Sequence, residues 1–188
     1  MNILVINGHK YYPFSEGRLN RTLFNEIVRI LEENGQNIRT TIIENGYDIG
    51  EEVEKFKWAD MIIFQSPVNW FSVPWLLKKY IDEVYQHGIF YTGSEKYGDG
   101  GLFKEKKYMF SMTCNASEEA FYNISSPFFE GKSPDDIIIA LHKLHQYCAM
   151  KPVRSFFCFD VIHNPVVEKY LKALANHLHI YVLNDRLS

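Results

Sequence analysis

The feature that most constrains this chain is a strict alternation of short apolar runs with longer stretches of helical periodicity. Ile3, Leu4, Val5 and Ile6 open it as a strand with no polar face, the pattern of a strand covered on both sides. Residues 17–34 then carry Leu19, Leu23, Ile27, Ile30 and Leu31 at helical spacing until Gly35 supplies a stop. The alternation predicts further strands at 38–43, 61–64, 108–112 and 153–159. It predicts helices at 51–58, 74–85, 134–150 (Pro134 in the first turn) and 165–181. Five such strands, each followed by a helix, require a parallel sheet with helices on both faces, a doubly wound α/β fold. There is no repeat, low-complexity tract or linker, so residues 1–188 read as a single domain.

Charge and cysteine content narrow the function. Twenty Lys plus Arg against 23 Asp plus Glu give a net charge of -3, without the basic excess that neutralises phosphates, so no nucleic acid is expected as partner. The longest apolar run, 137–141, is far short of the roughly 20 residues a membrane helix needs, so no membrane span is expected. The first residues lack a basic leader and read as a strand. Cys114, Cys148 and Cys158 are odd in number and widely spaced, which points to neither a disulfide framework nor a zinc knuckle, and to a reducing cytoplasmic location.

In a doubly wound sheet, ligands sit beyond the carboxyl ends of the strands. The loop after the first strand, 7–17, has neither a Walker A sequence nor G-x-G-x-x-G. It brings Ser15 and Gly17 to the start of a helix, where free N–H groups suit a phosphate, with Lys10 and Arg18 as helpers; the alternative is that Ser15 merely caps the helix. The loop after the third strand sets Trp70 and Phe71 between Pro67 and Pro74, either to stack on a flat heterocycle or to pack on the next helix or a partner subunit. The loop after the fourth strand, Thr113-Cys114-Asn115-Ala116-Ser117, offers small residues whose amides suit a negative atom. Cys114 has no placed His and Asp to activate it and is read as inert. Residues 87–106, with five glycines and little periodicity, form a long insertion of the kind that is commonly functional. His142 and His145 share a helix face without a third ligand, so no metal is expected and both are read as surface or partner-packed. Glu51, Glu52 and Glu54 read as an acidic first turn.

Several pieces together resemble the NAD(P)H:quinone oxidoreductases of the flavodoxin-like fold, across nearly the whole chain. They are I-N-G-x-K at 6–10, S-x-G-x-L-N-x-T at 15–22, W-A-D at 58–60, P-W-x-x-K-K-Y-I-D at 74–82, K-Y-G-x-G-G-L at 96–102, Leu141-His142-Lys143 and T-x-N-A at 113–116. The resemblance implies a flavodoxin-like five-stranded sheet of order 2-1-3-4-5 that holds FAD rather than FMN, in a homodimer. It implies that Ser15, Glu16, Gly17, Arg18, Leu19, Asn20, Arg21 and Thr22 bind the FAD phosphates. Pro67, Val68, Asn69, Trp70 and Phe71 would line the ring system and ribityl chain, Thr113, Cys114, Asn115 and Ala116 the pyrimidine end, and Tyr97 would contact the cofactor from the long insertion. Val68 and Asn69 stand where close members carry a glycine and an aromatic, and Cys114 where they carry a tryptophan, so the space above the flavin is reshaped.

The expected activity is ping-pong two-electron reduction of a quinone by NADPH or NADH, with the cofactor supplying the redox chemistry. No side chain is named as catalytic. The rival readings are an FMN-dependent azoreductase, a flavodoxin-type single-electron carrier, and a flavin-free interaction protein on the same sheet.

Overall fold

A computed structural model describes residues 1–184. Its elements run β1 (Asn2–Asn7), α1 (Arg18–Glu33), β2 (Asn37–Ile42), α2 (Ile49–Trp58), β3 (Met61–Pro67), α3 (Trp75–Val84), β4 (Lys107–Thr113), α4 (Pro134–Ile137), α5 (Ile139–Tyr147), β5 (Lys151–Pro152), β6 (Phe156–Cys158) and α6 (Val167–Leu178). All strand pairs are parallel, in the order β2-β1-β3-β4-β5, with β6 also on β4. Successive side chains of a strand point to opposite faces, so β1 sends Leu4 and Ile6 to a core with α2, α3 and α5. It sends Ile3 and Val5 to a second core with α1 and α6. Among the described residues no helix is long and apolar enough to cross a membrane.

The predicted fifth strand is interrupted. Tyr108 faces Pro152 and Ser111 faces Phe156, so β4 advances three residues while its neighbour advances four, the signature of a one-residue bulge at a sheet edge. Lys151 and Val153 direct their N–H groups inward to Lys106 and Tyr108, which leaves Pro152, the residue without an N–H, facing the open edge where it costs no ladder bond. The helix predicted at 134–150 is likewise two. A capping box of Ser133 and Asp136 starts α4, and Ile138 leaves helical geometry at φ -112°, ψ 23° before α5 begins. The last helix ends in a π turn, His179–Leu183.

Two expectations fail because burial, invisible to local spacing, decides them. Glu52 is no solvated first-turn residue: it is 1% exposed, and its carboxylate accepts from Thr41 Oγ1 at 2.8 Å, Tyr80 OH at 2.5 Å and Lys55 Nζ at 2.6 Å. A buried carboxylate is tolerable only when paired and hydrogen-bonded. His142 and His145 are both interior. His142 bridges Tyr108 OH (2.9 Å) and Asp135 Oδ1 (3.0 Å), while His145 stacks on Tyr108 with ring centroids 4.7 Å apart. Among the described residues no group of three or more His, Cys, Asp or Glu could hold a metal ion.

His145 is 0% exposed, and burial pushes its pKa down to about 4. The imidazole is therefore neutral in the folded protein, and Nδ1–H donates to Leu141 O at 2.8 Å. As pH falls below the unfolded value of about 6.5, the unfolded chain takes up a proton that the folded chain refuses. This contribution is fully present above that value and is lost progressively down to the folded pKa. From pH 7 to pH 5 the loss from this one group is about 2 kcal/mol. Urea unfolding of His145→Phe is expected to show a correspondingly flatter stability profile across that interval, and a slope equal to the parent's would reject the assignment.

Candidate functional site

The carboxyl ends of β1, β3 and β4 lie side by side, with Asn7 opposite Gln65 and Gln65 opposite Ser111. Here the apolar strands turn polar. Ser111 Oγ donates to Gln65 Oε1 at 2.6 Å, Gln65 Nε2 to Asn20 Oδ1 at 3.0 Å, and Asn20 Nδ2 to Asn7 Oδ1 at 2.8 Å. All four residues are buried. Each link contributes about 1 kcal/mol net, and leaving any member unpaired costs more than the link contributes. This ladder is the floor of the site and ties the start of α1 to three strands. Sequence reasoning gave a site role only to Asn20; the polar residues at the carboxyl ends of the apolar strands were the available signal.

Above the floor, residues 8–17 loop from β1 to α1. Gly8 N–H donates to Gln65 O (2.9 Å), and Tyr12 and Ser15 exchange backbone hydrogen bonds at 3.1 and 2.9 Å. Ser15 does not cap the helix: the cap position is Gly17, at φ 73° and with no side-chain bond. Arg21 N–H makes the first helical bond, to Gly17 O at 2.9 Å, so helix geometry leaves the amides of Arg18, Leu19 and Asn20 without intrahelical partners. His9, missed by the sequence reading, lies beneath Gly17. Its Nε2 is 3.1 Å from Ser15 O, and a Cβ at Gly17 would approach the ring within 2.4 Å. Burial lowers the His9 pKa against the pull of Glu44. A left-handed glycine that clears the helix start, followed by free amides, fits an anion such as a flavin phosphate.

The two predicted cationic helpers are occupied. Lys10 Nζ is 2.6 Å from Glu44, and Arg18 is 2.7 Å from Glu16. Leu19 packs against the α1–α6 core, Asn20 points into the floor, and Thr22 Oγ1 donates back to Arg18 O. This stretch thus offers backbone donors at its start, with Arg21 exposed alongside.

The β3–α3 loop begins at Pro67 and Val68, whose N–H donates to Thr113 O at 2.8 Å. Asn69 and Ser72 then close a two-residue turn with a pair of 3.0 Å bonds. Trp70 and Phe71 occupy its tip at φ 49° and 62°, left-handed values that cost a bulky residue roughly 1–2 kcal/mol each. Trp70 is 89% exposed, and Phe71 is 48% exposed with its ring 5.6 Å from that of Phe128. The reading that both rings pack on the next helix therefore fails for Trp70; the strained turn displays the indole outward.

In the third loop, Cys114 N–H donates to Cys158 O at 2.7 Å, and the Ala116 amide bonds the Cys114 sulfur, where burial nevertheless raises the thiol pKa. Asn115 and Ser117 are exposed, and among the described residues neither N–H has a backbone acceptor. Tyr97 stands apart from the three loops. It is 95% exposed, with its ring 5.5 Å from Tyr147, in a groove of about 820 Å³ between α3, α5 and the 87–106 segment. That segment is not structureless: Tyr91 bridges to His87 and Gly101, and Leu102 and Phe103 N–H groups donate to Phe90 and Cys148.

Gly17→Ala combines left-handed strain with a collision against His9. A melting temperature several degrees lower and weaker phosphate-bearing ligand binding are expected by about a kcal/mol or more; an unchanged melt and affinity would show that the cradle needs no glycine.

The sequence profile of the family described as Flavodoxin-like fold matches residues 1–179. The chain is 42% identical over 188 residues to the NADPH:quinone oxidoreductase MdaB of Haemophilus influenzae, covering 95% of this chain and 97% of that one. In three dimensions it is similar to an NAD(P)H:quinone oxidoreductase from Methanothermobacter marburgensis, with a TM-score of 0.72, 17% identity, and coverage of 94% and 96%. It is also similar to general stress protein 14 of Treponema denticola, solved in complex with FMN, with a TM-score of 0.70, 18% identity, and coverage of 100% and 99%. At these identities the two structural likenesses speak for the fold, and the sequence match over the full length speaks for the family. With the sheet order and this match in hand, the chain belongs to the NAD(P)H:quinone oxidoreductase family of flavodoxin-like fold.

Proposed function

We propose that this protein is a cytoplasmic flavin-dependent quinone reductase that binds FAD, takes reducing equivalents from NADPH or NADH, and works as a homodimer. The observation that carries this reading is the pairing of an uncapped helix start beneath Gly17 with an outward aromatic turn on the neighbouring strand. The flavin, when bound, would supply two-electron hydride chemistry between the nicotinamide and the quinone in ping-pong order. The chain's part is to hold and orient. The amides of Arg18, Leu19 and Asn20 would receive phosphate oxygens, with the helix dipole favouring their charge. Trp70 and Phe71 would cover a flat ring, a contact that adds about 0.5–1.5 kcal/mol beyond area burial. Thr113, Cys114, Asn115 and Ala116 border the pyrimidine end in this reading, with the Asn115 amide as the available donor. Cys114 stays a protonated thiol and takes no part.

Support for the homodimer comes from large aromatics left mostly exposed within the chain, Phe14 at 87%, Trp70 at 89% and Tyr97 at 95% exposed. Tyr97 would then meet the flavin of the partner subunit, because within its own chain it packs toward Tyr147. A second reading, an FMN-dependent azoreductase, differs in its flavin, and FMN is the flavin held by the Treponema denticola neighbour.

The test is the visible spectrum of the purified protein, anaerobic addition of NADPH, and chromatography of the released flavin. Bleaching without a lasting semiquinone and elution as FAD is the expected result. FMN would favour the azoreductase, a stable semiquinone a single-electron carrier, and a colourless protein that no flavin reconstitutes would end the enzyme reading. Trp70→Ala is expected to raise the flavin dissociation constant about 2- to 10-fold. Cys114→Ser is expected to leave turnover within about twofold, and a large loss there would make the thiol functional.

A further inference from the structure

We propose that Glu44 is a positioning residue for the flavin-phosphate loop, a reading that rests on the flavin site described above. Glu44 lies outside that loop, in the 3-10 turn Ile43–Asn45 that follows β2. The turn is seated by Ile43, which is 1% exposed, and β2 pairs with β1 up to Asn7 opposite Ile42. This brings the Glu44 carboxylate against the middle of residues 8–17. Its two oxygens accept from Tyr11 N–H at 3.0 and 2.9 Å, one of them also from Lys10 Nζ at 2.6 Å, and the other lies 4.0 Å from His9 Nδ1.

The consequence follows from how few other ties the loop has. Among the described residues its other backbone bonds to the body of the protein lie at its two ends, Gly8 N–H to Gln65 O, His9 N–H to Asn7 Oδ1 at 3.1 Å and Arg21 N–H to Gly17 O, while the Tyr12–Ser15 pair is internal to the loop. Tyr11 leads directly into that turn. Ser15 O contacts His9, and His9 fills the space under Gly17, where the free amides begin. Glu44 therefore reaches the helix start through Tyr11 and His9 without touching it. Ordering a free loop at the moment of binding reduces affinity, and a carboxylate that holds the loop in advance removes that cost. Lys10 balances the charge of Glu44, so the anchor adds little net repulsion toward a phosphate. The carboxylate is partly exposed, with 31% side-chain accessibility, and belongs to neither apolar core, so its role is separable from overall stability.

The experiment titrates the full-length chain, freed of flavin, with FAD, FMN and riboflavin, following quenching of flavin fluorescence, for the parent, Glu44→Ala and Glu44→Gln. The parent is expected to bind FAD and FMN more tightly than riboflavin, which lacks the phosphate. Glu44→Ala should weaken FAD and FMN by about tenfold or more, the loss of charge-assisted hydrogen bonds, and leave riboflavin within about twofold. Glu44→Gln retains an acceptor for Tyr11 N–H and should recover most of the loss. Thermal melts confirm folding, and Glu44→Ser replaces the alanine variant if that does not fold. Unchanged FAD affinity in Glu44→Ala, an equal loss for all three flavins, or no recovery by glutamine would each overturn the proposal. Failure of the parent to bind any flavin would reject the flavin site itself, and the positioning role with it.

Discussion

The candidate site depends on the buried row of hydrogen bonds from Ser111 through Gln65 and Asn20 to Asn7. Without it, the carboxyl ends of three apolar strands would be joined to α1 by packing alone, and packing tolerates small shifts that directional bonds do not. The row also explains why a glycine-started helix with no side-chain cap can sit here. Asn20, in the first turn of α1, is anchored from below, so the exposed amides need no local partner to hold the helix end in place. A half-satisfied polar row would be worse than an apolar one, and in this chain each of its links is made.

In the proposed flavin site the loops on that floor would divide the work of recognition between backbone and side chain. The helix start offers almost entirely main chain, since Lys10 and Arg18 are already paired to Glu44 and Glu16. The neighbouring two-residue β3–α3 turn offers almost entirely side chain, with Trp70 and Phe71 held at positive φ. Such turns favour Asn-Gly. Two aromatics there mean that display of the rings outweighs local backbone preference, which is the usual place for strain to be tolerated.

Much of the architecture was legible because it rests on short-range periodicity. The apolar runs at Ile3–Ile6, Met61–Phe64 and Tyr108–Met112 all became strands, and the order 2-1-3-4-5 implied by the family resemblance is the order found. The bulge between Pro152 and Phe156 was not legible, because one extra residue in an edge strand leaves the apolar pattern intact. Nor was the fate of Glu52, His142 and His145. Three glutamates in a first turn, or two histidines at helical spacing, look the same on a solvated face and on a face pressed against Tyr80 or Tyr108.

The candidate site divides along the same line. Ser15, Gly17, Trp70, Phe71 and Thr113 to Ala116 were identifiable as loop residues beyond strand ends, and any doubly wound sheet brings such loops together, while the stretch on to Thr22, inside α1, came from the family resemblance. From the residues alone follow the fold class, the strand ends that must converge, and the absence of a nucleotide-binding glycine motif in the first loop. That Gly17 rather than Ser15 begins the helix, that His9 fills the space beneath it, and that Glu44 grips the loop from a different strand are decided by tertiary contacts. Spacing along the chain encodes which face a residue occupies within its own element. It does not encode which distant residue arrives opposite, because that is set by sheet order and register, and so by the packing of the whole domain.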